Sequence, residues 1–127
     1  MSDKTLAGTP RRPTNEHERY HAHVYFDAAS EPAAAALREG LEAFDATLGR
    51  WHRKPVGPHP EWSYQVAFSP EQFAEIVPFL SLNRGPLSVL VHPMTDDAMA
   101  DHFDHAIWLG EKSELDPTPL KPKEERD

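Results

Sequence analysis

The residues most able to do chemistry in this chain are histidines, and the densest group of them stands in "YHAHVYFD", residues 20–27. Neutral imidazole is the commonest metal ligand and the usual acid or base near neutral pH. On a strand, residues two apart sit on one face, roughly 6–7 Å apart. His21 and His23 at that spacing can share one ion through metal–nitrogen bonds of about 2.1 Å. A third ligand from a neighbouring strand would complete a facial set and leave coordination positions open. Three further segments offer such a ligand: "GPHP" with His59, "VHP" with His92, and "DHFDH" with His102 and His105. Each also has a plainer reading. An HxH pair can be a polar sheet face, "GPHP" a rigid turn, and "DHFDH" a solvated helix face. The placement of the elements decides between them.

The pattern places the first strand at 20–27, with Ala22, Val24 and Phe26 on one face and His21, His23 and Tyr25 on the other. In "SEPAAAALREGLEAFDATLG", Ser30 is a candidate N-cap and Pro32 falls in the first turn. Leu37, Leu41, Phe44 and Leu48 share a helical face, and Gly49 is a plausible stop. A short edge strand is expected at Arg50–Lys54. "EWSYQVAF" alternates as a strand, and "SPEQFAEIVPFLSLNRG" reads as a second helix with a Ser69/Gln72 capping box and Pro78 inside it. "LSVLVHP" is a strand with Leu87, Val89 and Val91 opposite Ser88, Leu90 and His92. "TDDAMADHF" reads as a short helix capped by Thr95, and "HAIWLG" as a last short strand.

The order β-α-β-β-α-β, with an added helix and strand, predicts an α+β fold. It is a ferredoxin-like split βαβ sandwich, an antiparallel sheet with two helices on one face and an extra C-terminal helix and strand. The first strand is expected between the third and fourth, parallel to the third and antiparallel to the fourth. His21, His23, His59, His92 and His102 would then collect at one end of the helix-free face. A surface scatter of the eight histidines would not do that.

Composition narrows the function classes. A chain of 127 residues fits one domain, with 19–114 as its folded part, 1–18 a flexible arm, and 115–127 a flexible tail rich in proline and charge. The net charge of −8 and the lack of a basic stripe argue against nucleic acid as a partner. No apolar run is long enough to cross a membrane, and the N-terminus has no apolar signal segment, so a cytoplasmic protein is expected. With no cysteine there is neither a disulfide nor a thiolate metal site.

"YHAHVYFD", "PVGPHP", "FLSLNRGPLSVLVHP" and "DHFDHAIWLG", in that order across roughly residues 20 to 111, resemble the DOPA 4,5-dioxygenase family. The resemblance implies a ferredoxin-like fold, a homodimer, and extradiol opening of a catechol ring such as that of L-DOPA by O₂ at a non-haem Fe(II). Zinc or another divalent ion would be compatible with the same ligands. The family's HxHxY strand falls on His21, His23 and Tyr25, its "GPHP" on His59, its "HP" on His92, and its last block on His102, His105 and Trp108. His21, His23, His59 and His92 are thus the expected metal ligands. His102 is the expected acid/base, with Tyr25 as a donor behind it and His105 structural. Glu61 and Asp101 are the nearest carboxylates for a two-histidine, one-carboxylate set; a three-histidine set is the alternative. Trp62, Tyr64 and Trp108 are candidate walls of a ring pocket, with core packing the plainer reading. Arg84 is a candidate carboxylate anchor, though it precedes the strand whose far end carries His92 and is more readily a cation at a helix C-terminus.

Two other classes fit the residues. One is a dimeric ferredoxin-like module that binds a metal or small ligand without turnover. The other is a zinc hydrolase built on the same cluster. Histidines beyond a minimal triad favour an enzyme, because a passive site has no need to move protons.

Overall fold

Alternation of apolar and polar residues gives strand β1 (Tyr20–Phe26) two unlike faces, and the rest of the chain is arranged around it. A computed structural model describes residues 19–125; the arm expected over 1–18 lies outside these residues. After β1 come helix α1 (Glu31–Leu41), strands β2 (Thr47–Leu48) and β3 (Trp62–Phe68), and helix α2 (Phe73–Asn83). Strand β4 (Ser88–Pro93), helix α3 (Ala98–His102) and strand β5 (Ile107–Leu109) follow. The result is an α+β fold with three helices and a five-stranded sheet, ordered β2-β3-β1-β4-β5.

Every neighbouring pair in the sheet is antiparallel. β1 does lie between β3 and β4, but it runs antiparallel to β3, with Tyr20 opposite Phe68 and Phe26 opposite Trp62. The expected parallel pairing is therefore corrected. The start of β3 meets the end of β1, far from His21. Chain direction enforces this: β2 and β3 are antiparallel neighbours, so β3 must run against β1 if α1 returns the chain to a β2 parallel with β1.

The core forms where the apolar strand face meets α1 and α2. Ala22, Val24, Phe26, Tyr64, Val66, Phe68, Val89 and Val91 pack against Ala34, Leu37, Leu41, Ile76 and Leu80, all buried. Burying one such large side chain stabilises the fold by about 1.5–3 kcal/mol. Trp62 and Tyr64 belong to this side, so neither walls a pocket on the opposite face. Tyr64 donates its hydroxyl proton to the Ala34 carbonyl at 2.9 Å.

Several boundaries differ from the sequence reading. α1 ends at Leu41, well before Gly49; Phe44 packs on the core from a turn, and Leu48 lies in β2. The edge strand is therefore 47–48, while the expected 50–54 strand contributes a single bridge, His52 to Ser63. Ser30 sits before α1, but its hydroxyl is committed to Asp27, accepting from Asp27 N at 2.9 Å. At α2 the reciprocal Ser69/Gln72 box is present, with Ser69 N donating to Gln72 Oε1 at 3.0 Å. It opens a 3₁₀ turn, Pro70–Gln72, that leads into α2. The cap of α3 is Asp97, which accepts from Ala100 N at 3.0 Å, in place of Thr95.

The segment after Glu114, expected to be flexible, brings Leu115 against Tyr25 and Leu90 on the helix-free face. Asp116 N also donates to the Pro58 carbonyl at 2.9 Å. Among the described residues no helix is long and apolar enough to cross a membrane.

Candidate metal centre

The helix-free face of β1 presents His21, His23 and Tyr25, and β4 presents His92 beside them. His21 and His92 are direct partners in the antiparallel ladder, so their side chains leave the same face side by side. His23, two residues along β1, follows on that face. Its Nε2 lies 3.0 Å from His92 Nε2. Two nitrogens at right angles about a metal, each about 2.1 Å from it, are separated by about 3.0 Å. The backbone register thus sets a separation that fits two adjacent ligands of one ion.

His59 reaches this group by a different route. Its four-residue offset from Ser63, which pairs with Tyr25, would leave it beyond the sheet if the chain ran straight. Instead the 50–61 segment folds back over the sheet. The His52–Ser63 and Val56–His59 bridges hold it, and Gly57, at φ 56°, makes the left-handed turn between the last two. The His59 ring then lies 4.0 Å from that of His23. His102 comes from α3, which Asp101 anchors. The Asp101 carboxylate, fully buried, accepts from Thr95 N at 2.9 Å and from Thr95 Oγ1 at 2.6 Å. The His102 ring lies 4.0 Å from His92 and 5.8 Å from His59.

Five histidines from four parts of the chain therefore form one cluster, as the sequence led one to expect. Within it two overlapping sets, His21/His23/His92 and His23/His59/His102, bring their nitrogens close enough to hold an ion. The second set shows that His102, expected as an acid/base, is also placed like a ligand. His105 is exposed and belongs to neither set. Neither carboxylate candidate joins: Asp101 is spent on Thr95, and Glu61 accepts from Ser113 Oγ at 2.8 Å. Arg84 donates Nη1 to the Leu87 carbonyl at 3.0 Å, which ties the end of α2 to the start of β4.

Burial sets the protonation of the cluster. Desolvation, reinforced by the neighbouring imidazoles, lowers the His59 pKa to about 4 and the His92 pKa to about 3. His23 is held well below the ordinary imidazole range for the same reason, and His21 is lowered too. Buried Tyr25 is pushed upward, so its hydroxyl keeps its proton. Those four rings are thus neutral near pH 7, the state that offers a lone pair to a metal.

Hydrogen bonds at the other ring nitrogen orient those lone pairs. His92 Nδ1 lies 2.8 Å from the Pro93 carbonyl, which only accepts, so Nδ1 carries the proton and Nε2 is bare. His102 Nδ1 stands in the same relation to the Ala98 carbonyl, at 2.8 Å. A ligating histidine whose second nitrogen donates to a carbonyl is a common support for bound metal. The donor set therefore fits a divalent ion with an all-imidazole facial set.

Beside the cluster, Tyr25, Leu90, Leu115, Ala106 and Trp108 form a small apolar patch, with the Tyr25 and Trp108 rings 5.9 Å apart. Trp108 is the one predicted wall residue that lies on this face. Sequence reading missed Leu115 and the anchoring role of Asp101. A single leucine in a proline- and charge-rich tail, and a threonine six residues before an aspartate, are signals too weak to stand alone.

The sequence matches the Dopa 4,5-dioxygenase family over residues 20–118. It is 39% identical over 106 residues to the DOPA 4,5-dioxygenase of Amanita muscaria, across 76% of this chain and 46% of that protein. It is 37% identical over 110 residues to an uncharacterized 21.2 kDa protein of Botryotinia fuckeliana, across 76% of this chain and 60% of the relative. The chain thus spans about half the length of these curated relatives. The crystal structure of a "putative dioxygenase" from Nostoc punctiforme is similar, with a TM-score of 0.80 at 55% identity, covering 83% of this chain and 92% of that one. With the histidine cluster on the helix-free face and a match running from β1 past β5, the chain belongs to the Dopa 4,5-dioxygenase family.

Proposed function

We propose that the protein is a non-haem iron extradiol dioxygenase that opens the ring of a catechol, L-DOPA or a close analogue, with O₂. The observation that carries the proposal is the histidine cluster on the helix-free sheet face, with His23, His59 and His92 buried and the His23 and His92 Nε2 atoms 3.0 Å apart. Family membership supports the reaction class. A dimeric cytoplasmic enzyme with a ferredoxin-like arrangement is part of the same proposal. The strand order, with β3 inserted between β1 and β2, supports that arrangement.

His21, His23 and His92 would hold the ion. Fe(II) held there would supply redox and Lewis-acid chemistry toward a catecholate and O₂. The chain's own residues do the rest. His102, with its Nε2 bare, takes the proton of a catechol hydroxyl. Tyr25, Trp108 and Leu90 offer an apolar and aromatic surface beside the cluster against which the ring can stack, and they keep water from that side. His102 lies outside the His21/His23/His92 set, which favours turnover over passive binding.

Anaerobic reconstitution with Fe(II), followed by L-DOPA and air, tests the proposal. O₂ consumption matched by a yellow product absorbing in the visible is expected. No O₂ uptake with L-DOPA or simpler catechols would reject it, and turnover with zinc and no oxygen would point to the hydrolase class.

A further inference from the structure

Strand β5 closes the sheet at one end, with β4 on its inner side. Among the described residues no backbone hydrogen bond joins its outer side. An open strand edge can add a strand from another chain, and proteins guard such edges with charge or proline. Ile107–Leu109 is short, yet it is apolar throughout and carries neither guard. Among the described residues four large apolar side chains stand exposed. Three of them, Met94, Phe103 and Ile107, fall in the stretch that leads from the end of β4 into β5.

The sequence around this edge complements itself when read backwards. Turning "DHAIWLGEK", residues 104–112, about Trp108 sets Ile107 against Leu109, Ala106 against Gly110, His105 against Glu111, and Asp104 against Lys112. A two-fold contact has that form, since residue i of one copy meets j of the other while j meets i. We infer that β5 pairs antiparallel with β5 of a second copy, about a two-fold axis through Trp108, and so joins the two sheets into one. Only 107–109 form rungs of this ladder. His105 lies in the turn after α3, and Gly110, at φ 84°, bends the chain beyond β5. The charged flanks therefore meet as neighbouring side chains of opposite sign at the ends of the seam.

The register says what this does to the site. His23 stands opposite Leu90 on β4, and Leu90 opposite Trp108 on β5. Their side chains leave the helix-free face along one line across the sheet. Beyond the axis that line continues through the partner's Trp108, Leu90 and His23. The second indole extends the surface that Trp108 makes with Tyr25, whose ring is 5.9 Å away. The two His23 backbones come out five strand spacings apart, about 24 Å. On the other face Ile107 and Leu109, opposite Val91 and Val89, bring the two apolar cores edge to edge. The inference deepens the dimeric reading above. Only the role of the second Trp108 rests on the catechol reading.

Sedimentation and thiol cross-linking of the full-length chain test the pairing without metal or substrate. The sequence has no cysteine, so a substituted one is the sole thiol. Trp108→Cys sets two thiols opposite each other, with Cβ atoms about 4.5–5.5 Å apart, a small shift from disulfide geometry. Mild oxidation is expected to give a covalent dimer on a denaturing gel. Thr47→Cys, on the opposite edge of the sheet, is expected to give none. Ile107→Lys is expected to raise the dissociation constant at least about tenfold by placing an ammonium in the seam, with circular dichroism unchanged. If that variant fails to fold, cross-linking decides. A parent chain that sediments as a monomer would overturn both the inference and the dimeric reading. A dimer that survives Ile107→Lys, or whose Trp108→Cys form does not cross-link, would overturn the inference alone. The O₂-uptake experiment above would still decide the reaction.

Discussion

His23 is the residue on which the cluster turns: it belongs to both metal-capable sets and its ring touches those of His59 and His92. His23→Ala or His92→Ala is expected to abolish retention of one equivalent of divalent metal through gel filtration, read by elemental analysis, while far-ultraviolet circular dichroism stays unchanged. Removing a buried ring leaves a cavity but no unpaired charge, so the loss of stability should stay within the usual range for large-to-small changes, about 2–5 kcal/mol. Metal bound at unchanged stoichiometry in both variants would remove the site. Much of this was readable from side-chain chemistry alone. The alternation around His21 and His23, and the placing of His92 opposite the Leu87/Val89/Val91 set, announced which face the imidazoles share. The proton on each ring was not readable. It depends on carbonyls and a hydroxyl whose positions arise only after folding, as with Tyr25 OH on His59 Nδ1.

At the scale of elements, the long strands and α2 were legible because their periodicity is strong and their caps are local. The miss was in direction and in short pieces. Alternation along β3 is the same whether the strand runs up or down, so pattern alone could not separate a parallel from an antiparallel partner. His59 still arrived at the site because the 50–61 loop can turn back, which a strand cannot. The two-residue β2 is too short to show any period, and its Leu48 fitted the helical face of α1 equally well. Gly110, which ends β5, gives an element-scale prediction. Its φ is 84°, and a Cβ there would lie 2.6 Å from Arg84 Nη1, the group that ties α2 to β4. Gly110→Ala is expected to lower stability by about 1–2 kcal/mol from the left-handed backbone alone, and by more if Arg84 is displaced. Urea unfolding would measure it, and an unchanged midpoint would show that the Arg84 clamp carries little.

For the molecule as a whole, buried neutral histidines couple folding to pH. His59 and His92 titrate near 4 and 3 in the folded protein, lowered chiefly by desolvation, against about 6.5 in an unfolded chain. Above about pH 6.5 both states are neutral and the linkage is silent. Below it the unfolded chain binds protons that the folded one refuses, so stability falls as pH drops toward the folded values. Each such histidine costs about 1.4 kcal/mol per pH unit across that window. The urea midpoint of the metal-free protein is therefore expected to fall between about pH 6.5 and 4, and to fall less steeply in His92→Gln. A midpoint flat over that range would mean the rings are already charged or solvated. A bound divalent ion, favouring the folded state, should raise the melting temperature in proportion to the logarithm of its concentration.

β1 has a hydrogen-bonded neighbour on each side from Tyr20 to Tyr25. Its amide protons cannot reach solvent by fraying at a sheet edge; they wait for the sheet itself to come apart. The backbone beneath the imidazoles at 21 and 23 is therefore expected to be among the last to take up deuterium. A cargo gripped there would leave only past the rings that the 50–61 segment and α3 lay over His23 and His92, so those outer pieces, and not the sheet, would set the pace of its release.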